Sequence, residues 1–438
     1  MLSLDIVITV CDYLADCNYY FINKSIYNIV CNEEKKQYWK SKYELFFTDI
    51  DKEYLILEGN YNWKREYIRV IANNWDIIDD KKCIWLTENK LSKVPKEIGN
   101  LVNLRALNIY NNQICELPKE LGKLVNLEGL FVNSNEIVTL PKELGNLIKL
   151  QNLKVTHNKI REIPKEFSGL INLQTLAANY NKIKKIPQEF SFLTKLVSLS
   201  FLNNKINIIP KELCELTNLT FLNLANNKIE TVPEEISKLR NLIKLELNNN
   251  MINEIPKQLC NLYELRYLYL SSNQISLIPE EIGNLRSLCE LRLENNSIVN
   301  IPKKLGYLSE LHILRISDNK IEEVPRELSF LAKLNDLYLN NNQIKNIPIE
   351  FSNLTNLEGL DMSKNQIRVI PKELSKLVKL RCLNISNNNI TELPKELYNM
   401  TNLKYLNISG NKVNEISEEI NNLVISVGLR IIKDINKN

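Results

Sequence analysis

The residue types that perform most enzymatic chemistry are scarce in this chain and do not combine into a known motif. Its 438 residues include only two histidines, His157 and His312, which stand far apart in the sequence. Neither can complete a histidine-based triad or an HExxH zinc site. No GxxxxGK(S/T) or GxGxxG phosphate-binding loop, kinase signature or GxSxG elbow occurs. We therefore expect a protein that is not an enzyme and that needs no cofactor and no metal.

The cysteines and the charge distribution point away from secretion, nucleic acid and membranes. Nine cysteines are an odd number, and they lack the paired spacing of a zinc site. The opening MLSLDIVITVCDYLADC has no basic leader, so we expect a cytoplasmic or nuclear protein that is not secreted. There are 56 basic and 52 acidic residues, with no Lys/Arg block and no run of about 18 apolar residues. Neither a nucleic acid nor a membrane is therefore expected as a partner.

The prolines supply the pattern that organises the chain. All fourteen lie on one ladder with a constant step of 23, from Pro95 to Pro394. Length alone would suggest two or three compact domains. A fixed period between about 20 and 50 residues instead predicts a repeat array.

One unit, LRALNIYNNQICELPKELGKL from Leu104 to Leu124, shows what each position does. Alternating apolar residues before the proline predict a short strand with one face turned inward. The proline is expected to open a return limb of helical or 3₁₀ turns, because apolar residues follow it with a spacing of three. The residue four after the proline is Gly, Ser or Cys in thirteen of fourteen units. Cys214 and Cys260 stand there and are predicted to be small packed residues.

An asparagine stands six residues before each proline. Its side-chain amide can donate to and accept from backbone groups that would otherwise be buried without partners. Ser417 takes the place of the proline in the last unit. We predict a structural ladder formed by Asn89, Asn112, Asn135, Asn158, Asn181, Asn204, Asn227, Asn250, Asn273, Asn296, Asn319, Asn342, Asn365, Asn388 and Asn411.

The unit is similar to the leucine-rich repeat, LxxLxLxxNxLxxLPxxLxxLxx. Its period of 23 and its LPxEL signature resemble the Ras-group class of intracellular signalling scaffolds. The resemblance implies an α/β fold: a horseshoe-shaped solenoid with a parallel inner sheet of about 15 strands and a small α-helical N-terminal segment. The repeats would span residues 81–426, with a C-terminal cap and tail at 427–438.

The variable strand positions are the candidates for binding a partner. Strand alternation points the residue ten before each proline towards the inner curve. Aromatic and arginine side chains are enriched at interface hot spots. We predict that a protein partner contacts a central cluster of Arg266, Tyr267, Tyr269, Arg292, Arg315 and Tyr338. A second and more apolar cluster comprises Trp85, Tyr110 and Phe131, and Tyr180 and Phe221 are further contact sites. Glu290 and Tyr405 are also expected to be exposed strand residues.

The N-terminal segment, residues 1–80, differs in composition from the rest. It contains none of the prolines and half of the 18 tyrosines, and its charge is 9 − 14 = −5. The stretches LSLDIVITVCDYL, FINKSIYNIV and NWKREY, in that order, resemble an F-box. The resemblance implies that an adaptor protein is bound by Leu2, Asp5, Ile6, Tyr13, Leu14, Ile29, Val30 and Trp39.

Two functional hypotheses remain open. In the first, the repeats capture a protein while residues 1–80 dock to a Skp-type adaptor and, through it, a cullin–RING ubiquitin ligase. In the alternative, the chain is a Ras-group signalling scaffold that binds a small GTPase or a phosphatase. Residues 1–80 would then only be a helical cap, since every repeat array needs one.

Overall fold

Every unit that contains a proline forms one short strand followed by one 3₁₀ turn. The computed structural model of the protein describes residues 83–87 and 91–433. Asn89 and the F-box-like residues lie outside the described residues. The strands, numbered β1 to β16 in chain order, are Cys83–Trp85, Ala106–Asn108, Gly129–Phe131, Asn152–Lys154, Thr175–Ala177, Ser198–Ser200, Phe221–Asn223, Lys244–Glu246, Tyr267–Tyr269, Glu290–Arg292, Ile313–Arg315, Asp336–Tyr338, Gly359–Asp361, Cys382–Asn384, Tyr405–Asn407 and Arg430–Ile432.

The strands form one open parallel sheet in which each strand pairs with the next along the chain. From β1 to β15 the register advances by one repeat at each step, as in Ile84 opposite Leu107 and Leu107 opposite Leu130. The predicted parallel solenoid is confirmed by this arrangement. The sheet has sixteen strands instead of fifteen, because Arg430–Ile432 in the tail pairs with β15.

The return limb of each unit is a five-residue 3₁₀ turn. Pro95 shows why the turn begins where it does: its φ is −66° but its ψ is 143°, so its backbone is extended. The proline thus precedes the turn instead of being its first helical residue, and its carbonyl accepts the first bond, from the Ile98 N–H at 3.2 Å. The turns are Lys96–Asn100, Lys119–Lys123, Lys142–Asn146, Lys165–Gly169, Gln188–Phe192, Lys211–Glu215, Glu234–Lys238, Lys257–Asn261, Glu280–Asn284, Lys303–Tyr307, Arg326–Phe330, Ile349–Asn353, Lys372–Lys376 and Lys395–Asn399.

An asparagine side chain joins each unit to the one before it. The Oδ1 atom of Asn250 accepts from the Ile229 N–H at 3.0 Å, and its Nδ2 donates to the Leu224 and Leu247 carbonyls at 3.0 and 2.9 Å. The same set of bonds begins at Asn112 and recurs at every later ladder position. These are backbone groups that the sheet and the turns leave unpaired.

Framework leucines and isoleucines form a core that runs the length of the array. Leu107 has no exposed surface, and its counterparts on β3 to β15 have 2% at most, since each unit covers the next. Gly99, four residues after Pro95, has no room for a side chain, because a Cβ there would lie 2.5 Å from the Glu120 carbonyl oxygen, whereas the same position holds serine or cysteine in eight other units. Cys214 and Cys260 occupy that position and are buried, and burial raises the pKa of each thiol to about 12.

The residue before each ladder asparagine from Asn112 onward has a left-handed backbone, which the repeat pattern alone did not reveal. Its φ is 55° at Asn249 and similar in the other units. Asparagine tolerates this conformation better than most residues, because its short polar side chain can bond locally. The sequence signal for this left-handed residue is the pair of adjacent asparagines found in several units, such as Asn249–Asn250.

The last unit ends in an α-helix, α1 (Glu418–Val427), in place of a 3₁₀ turn. Ser417, which replaces the expected proline, caps α1 by accepting a bond from the Ile420 N–H at 3.5 Å. Gly428 ends α1 in the left-handed conformation, with φ 69°, and turns the chain into β16. Among the described residues, no helix combines the length and the apolar character that crossing a membrane requires.

Replacing Asn250 with alanine should lower the free energy of unfolding by about 3 kcal/mol. The change leaves the Ile229 N–H and two carbonyls buried without their partner. Urea denaturation followed by circular dichroism would measure the loss. Asn248→Ala is the matched control, because the Asn248 side chain makes no hydrogen bond to any residue that the structure describes; equal losses for both variants would contradict the role of the ladder.

Candidate protein-binding surface

In β1 to β15 the first and third residues of each strand form the exposed face of the sheet, and the middle residue joins the core. In β9, Tyr267 and Tyr269 are half-buried while Leu268 between them has no exposed surface. Successive strands place equivalent residues side by side, so Tyr269 lies opposite Arg292. The face is thus a grid in which neighbours come from adjacent units.

The centre of this grid is a stack of cations and aromatic rings around Tyr269. The Nζ of Lys244 lies 4.8 Å from the centroid of the Tyr269 ring, and the Cζ of Arg292 lies 4.4 Å from it. Lys244 also lies 5.8 Å from the Phe221 ring and 6.0 Å from the Tyr267 ring. Each distance is within the range of cation–π attraction. We call Phe221, Lys244, Tyr267, Tyr269 and Arg292 the aromatic–cation cluster.

Glu290 holds this cluster in place from below. Its prediction as an exposed strand site is wrong, because it is only 8% exposed. Its Oε2 accepts from the Tyr269 hydroxyl at 2.9 Å, and its Oε1 accepts from Nε and Nη2 of Arg292, both at 2.7 Å. Burial, followed by this bond to Glu290, raises the pKa of Tyr269 to about 12. Glu290 therefore fixes both side chains and neutralises the arginine.

A second stack of the same kind lies two strands further on. The Cζ of Arg315 is 4.3 Å from the Tyr338 ring centroid, and the buried Nε of Arg315 has no hydrogen-bond partner among the described residues. Burial raises the pKa of the neighbouring Asp336 carboxyl, although the Arg315 charge opposes that shift. Two of the predicted aromatic–arginine pairs are thus brought together by adjacent strands.

The remaining predicted residues are more scattered. Arg266 is exposed just before β9, and Tyr405 belongs to β15 near the C-terminal end of the sheet. Tyr180 is not a strand residue as supposed. It has a left-handed backbone with φ 52°, and its ring stacks on that of His157 with centroids 4.2 Å apart.

The apolar cluster predicted near the N-terminal end of the array is divided. Trp85 on β1 is 63% exposed, and Asn108 on β2 stands between it and Phe131 on β3 in the sheet register. Tyr110 follows β2 and is 40% exposed. Lys154 lies 5.7 Å from the centroid of the Phe131 ring.

A pocket that was not predicted from the sequence lies beside Tyr338. Its volume is about 460 Å³, and the residues around it include Asp336, Tyr338, Gly359, Asp361 and Cys382. Gly359 creates the opening, because its counterparts in other units include residues as large as Tyr267 and Phe221. A glycine within a strand pattern is the sequence signal for such an opening.

Gly129 has the same strand position as Gly359 but leaves no comparable opening. A Cβ on Gly129 would lie 2.8 Å from Cε2 of Phe131, so the Phe131 ring already covers the glycine. Two residues after Gly359 comes Asp361 instead, and its carboxylate accepts bonds from the Ser363 N–H at 2.9 Å and from Nδ2 of Asn384 at 2.9 Å. The Asp361 side chain therefore does not cover Gly359, and the Asp336 carboxylate lies there instead, where its Oδ1 would meet an added Cβ.

Sequence comparison identifies the family. The profile described as leucine-rich repeat region matches more than half of the chain, at residues 81–159, 202–293, 253–367 and 287–392. The chain belongs to the leucine-rich repeat family. Two further profiles, leucine-rich repeats in two copies and leucine-rich repeat, match residues 378–423 and 171–229. No curated protein matches the chain.

Solved structures share the fold along most of the described array. A leucine-rich repeat protein of Leptospira interrogans is 34% identical with a TM-score of 0.73, and the match covers 83% of this chain and 98% of that one. An internalin of Listeria monocytogenes is 26% identical with a TM-score of 0.63, covering 72% and 92% of the two chains. The plant peptide hormone receptor RGFR1, solved in complex with RGF2, is 29% identical with a TM-score of 0.56, covering 76% and 63%.

Glu290→Ala should lower the free energy of unfolding by about 2 kcal/mol, because Arg292 and Tyr269 lose the carboxylate that they share. Chemical denaturation would measure this. Glu294→Ala in the same unit is the control: the Oε2 of Glu294 is buried without a partner among the described residues, so its removal should cause no loss. A similar loss for both variants would show that Glu290 is no anchor.

Proposed function

We propose that this chain is a non-catalytic protein-binding protein, which captures a polypeptide partner on the exposed face of its sheet between β7 and β13. The observation that carries the proposal is the aromatic–cation cluster. Its rings and cations are half-exposed on adjacent strands and are already held by contacts with one another and with Glu290.

Pre-ordered side chains of this kind favour binding. Association costs roughly 0.5–1.5 kcal/mol for each flexible side chain that it immobilises. Tyr269 has lost most of that freedom already in the free protein, because Lys244, Glu290 and Arg292 contact it. Tyrosine and arginine are also the residues that most often dominate an interface. A partner that lies across these strands would meet a rigid and amphipathic surface.

The solved relatives support a polypeptide as the occupant. The plant receptor RGFR1 is a peptide hormone receptor, and its structure contains the peptide RGF2. A second plant receptor kinase ectodomain, 27% identical with a TM-score of 0.51, was solved with CASPARIAN STRIP INTEGRITY FACTOR 2. These relatives point to the class of occupant, which is a polypeptide.

Full-length protein exposed to a displayed library of short random peptides should retain peptides through the aromatic–cation cluster. The double variant Tyr267→Ala/Tyr269→Ala should lower their affinity at least tenfold, because it removes both rings. The double variant Tyr263→Ala/Tyr307→Ala changes two exposed tyrosines on or next to the 3₁₀ turns and should bind normally. Equal losses in the two double variants, measured by biolayer interferometry, would contradict binding at the sheet.

We also propose that residues 1–80 act as an F-box that binds an adaptor protein, and this proposal rests on their sequence alone. The support is the order of the F-box-like segments between Leu2 and Tyr67. The scaffold alternative, with a small GTPase or a phosphatase bound by the repeats, is supported by the Ras-group signature instead. In that case residues 1–80 are a cap.

Co-purification with a Skp-type adaptor separates these two alternatives. If the segment is a working F-box, full-length protein should retain the adaptor, and Leu14→Asp with Ile29→Asp should release it, because charges replace apolar contacts. Tyr267→Ala/Tyr269→Ala should still retain it. Failure of the unaltered protein to bind the adaptor would favour the scaffold.

A further inference from the structure

The pocket beside Tyr338 is bordered mainly by acidic side chains. Three carboxylates border it, those of Asp336, Glu358 and Asp361, against one cation, Arg381. Arg381 is already engaged, since its Nε lies 3.5 Å from Oε2 of Glu358. Two carboxylates, those of Asp336 and Asp361, are thus left with no cation among the residues that border the pocket.

The two remaining carboxylates are placed differently. The Oδ1 of Asp361 accepts from Ser363 and its Oδ2 accepts from Asn384 at 2.9 Å, so neutral donors fix its position. Asp336 leans over Gly359, because a Cβ built there would meet its Oδ1 atom. The Arg315 charge attracts Asp336, and Tyr338 hydrogen-bonds to Asp336, but Arg315 is stacked on Tyr338 and does not border the pocket. Asp336 is therefore the carboxylate nearest the space above the glycine.

We infer that this pocket receives a lysine or arginine side chain of the bound polypeptide, so that the partner is a basic segment. The inference rests on the proposed function and specifies which partner it selects. A cation would meet the Asp336 and Asp361 carboxylates, which attract ammonium and guanidinium ions, beside the Tyr338 ring. An acidic side chain would meet like charge instead.

The dimensions of the pocket fit a side chain better than an ion. Its volume of about 460 Å³ is in the range of sites that hold small organic groups, about 300–1,000 Å³. In the described part of the chain, no three His, Cys, Asp or Glu side chains converge as metal ligands do. The pocket also continues the aromatic–cation cluster along the sheet, since β10 to β13 are consecutive strands. A segment held on the tyrosines would therefore reach it.

The test uses the peptides that the full-length protein selects from the random library. They should share a lysine or arginine at one aligned position. A synthetic peptide with norleucine at that position should bind the unaltered protein about tenfold or more weakly, as expected when a charge-assisted contact is lost. The same replacement should change little in Asp336→Asn, where the carboxylate is absent but the shape is kept.

Filling the pocket provides a second variant with a matched control. Gly359→Leu should weaken binding of the basic peptide by the same factor, because its side chain takes up the pocket and displaces the Asp336 carboxylate. The variant should fold, because Phe221 and Tyr267 occupy the same strand position in other units. Thr175→Leu makes the equivalent change on β5, away from both the pocket and the aromatic–cation cluster, and should leave the affinity unchanged.

The outcomes separate this inference from the proposed function. Peptides that depend on Tyr267 and Tyr269, but show no basic preference and bind Gly359→Leu normally, would overturn the pocket and leave the binding face intact. If the unaltered protein retains no peptide, the proposed function fails and the inference fails with it.

Discussion

The asparagine ladder is the interaction on which the rest of the structure depends. Each repeat contributes a strand of only three residues, so most of its backbone lies in segments that no sheet pairs. Asn250 and its counterparts pair the groups where the chain leaves the strand, and they do so with the previous unit as well as their own. Since a buried backbone group without a partner is costly, this bond makes stacking of identical units favourable.

The same constraint explains why the sequence predicts the fold so well. Leucines, prolines and asparagines recur because every unit must bury the same groups against its neighbours, so one unit read correctly predicts the others. The exceptions lie where the neighbour on one side is missing. At Ser417 the proline is lost, and an α-helix and a sixteenth strand end the array. The 23-residue period does not indicate this helix, because the helix belongs to the end of the array and is not part of the repeated unit.

The binding face could be predicted only as a set of positions. Strand alternation correctly placed Tyr269, Arg292, Arg315 and Tyr338 on the exposed face of the sheet. It could not show that Glu290 is buried beneath two of them, because Glu290 has the same register as half-exposed residues in other units. Whether a residue in this grid is a contact or a support depends on the sizes and charges of its neighbours in adjacent units, which lie a full repeat away in the sequence.

Gly129 and Gly359 occupy the same position in their strands, but the surface around each glycine is different. Both lack a side chain in the grid, and a different neighbour lies over each of them. The Phe131 ring covers the first glycine, whereas Asp361 bonds to Ser363 and Asn384, and only the smaller Asp336 carboxylate lies over the second. The polar bonds that occupy Asp361 are themselves products of the repeat, because Asn384 is its register partner on the next strand. The framework that fixes the backbone thus also positions the side chains that give each stretch of the face its own chemistry.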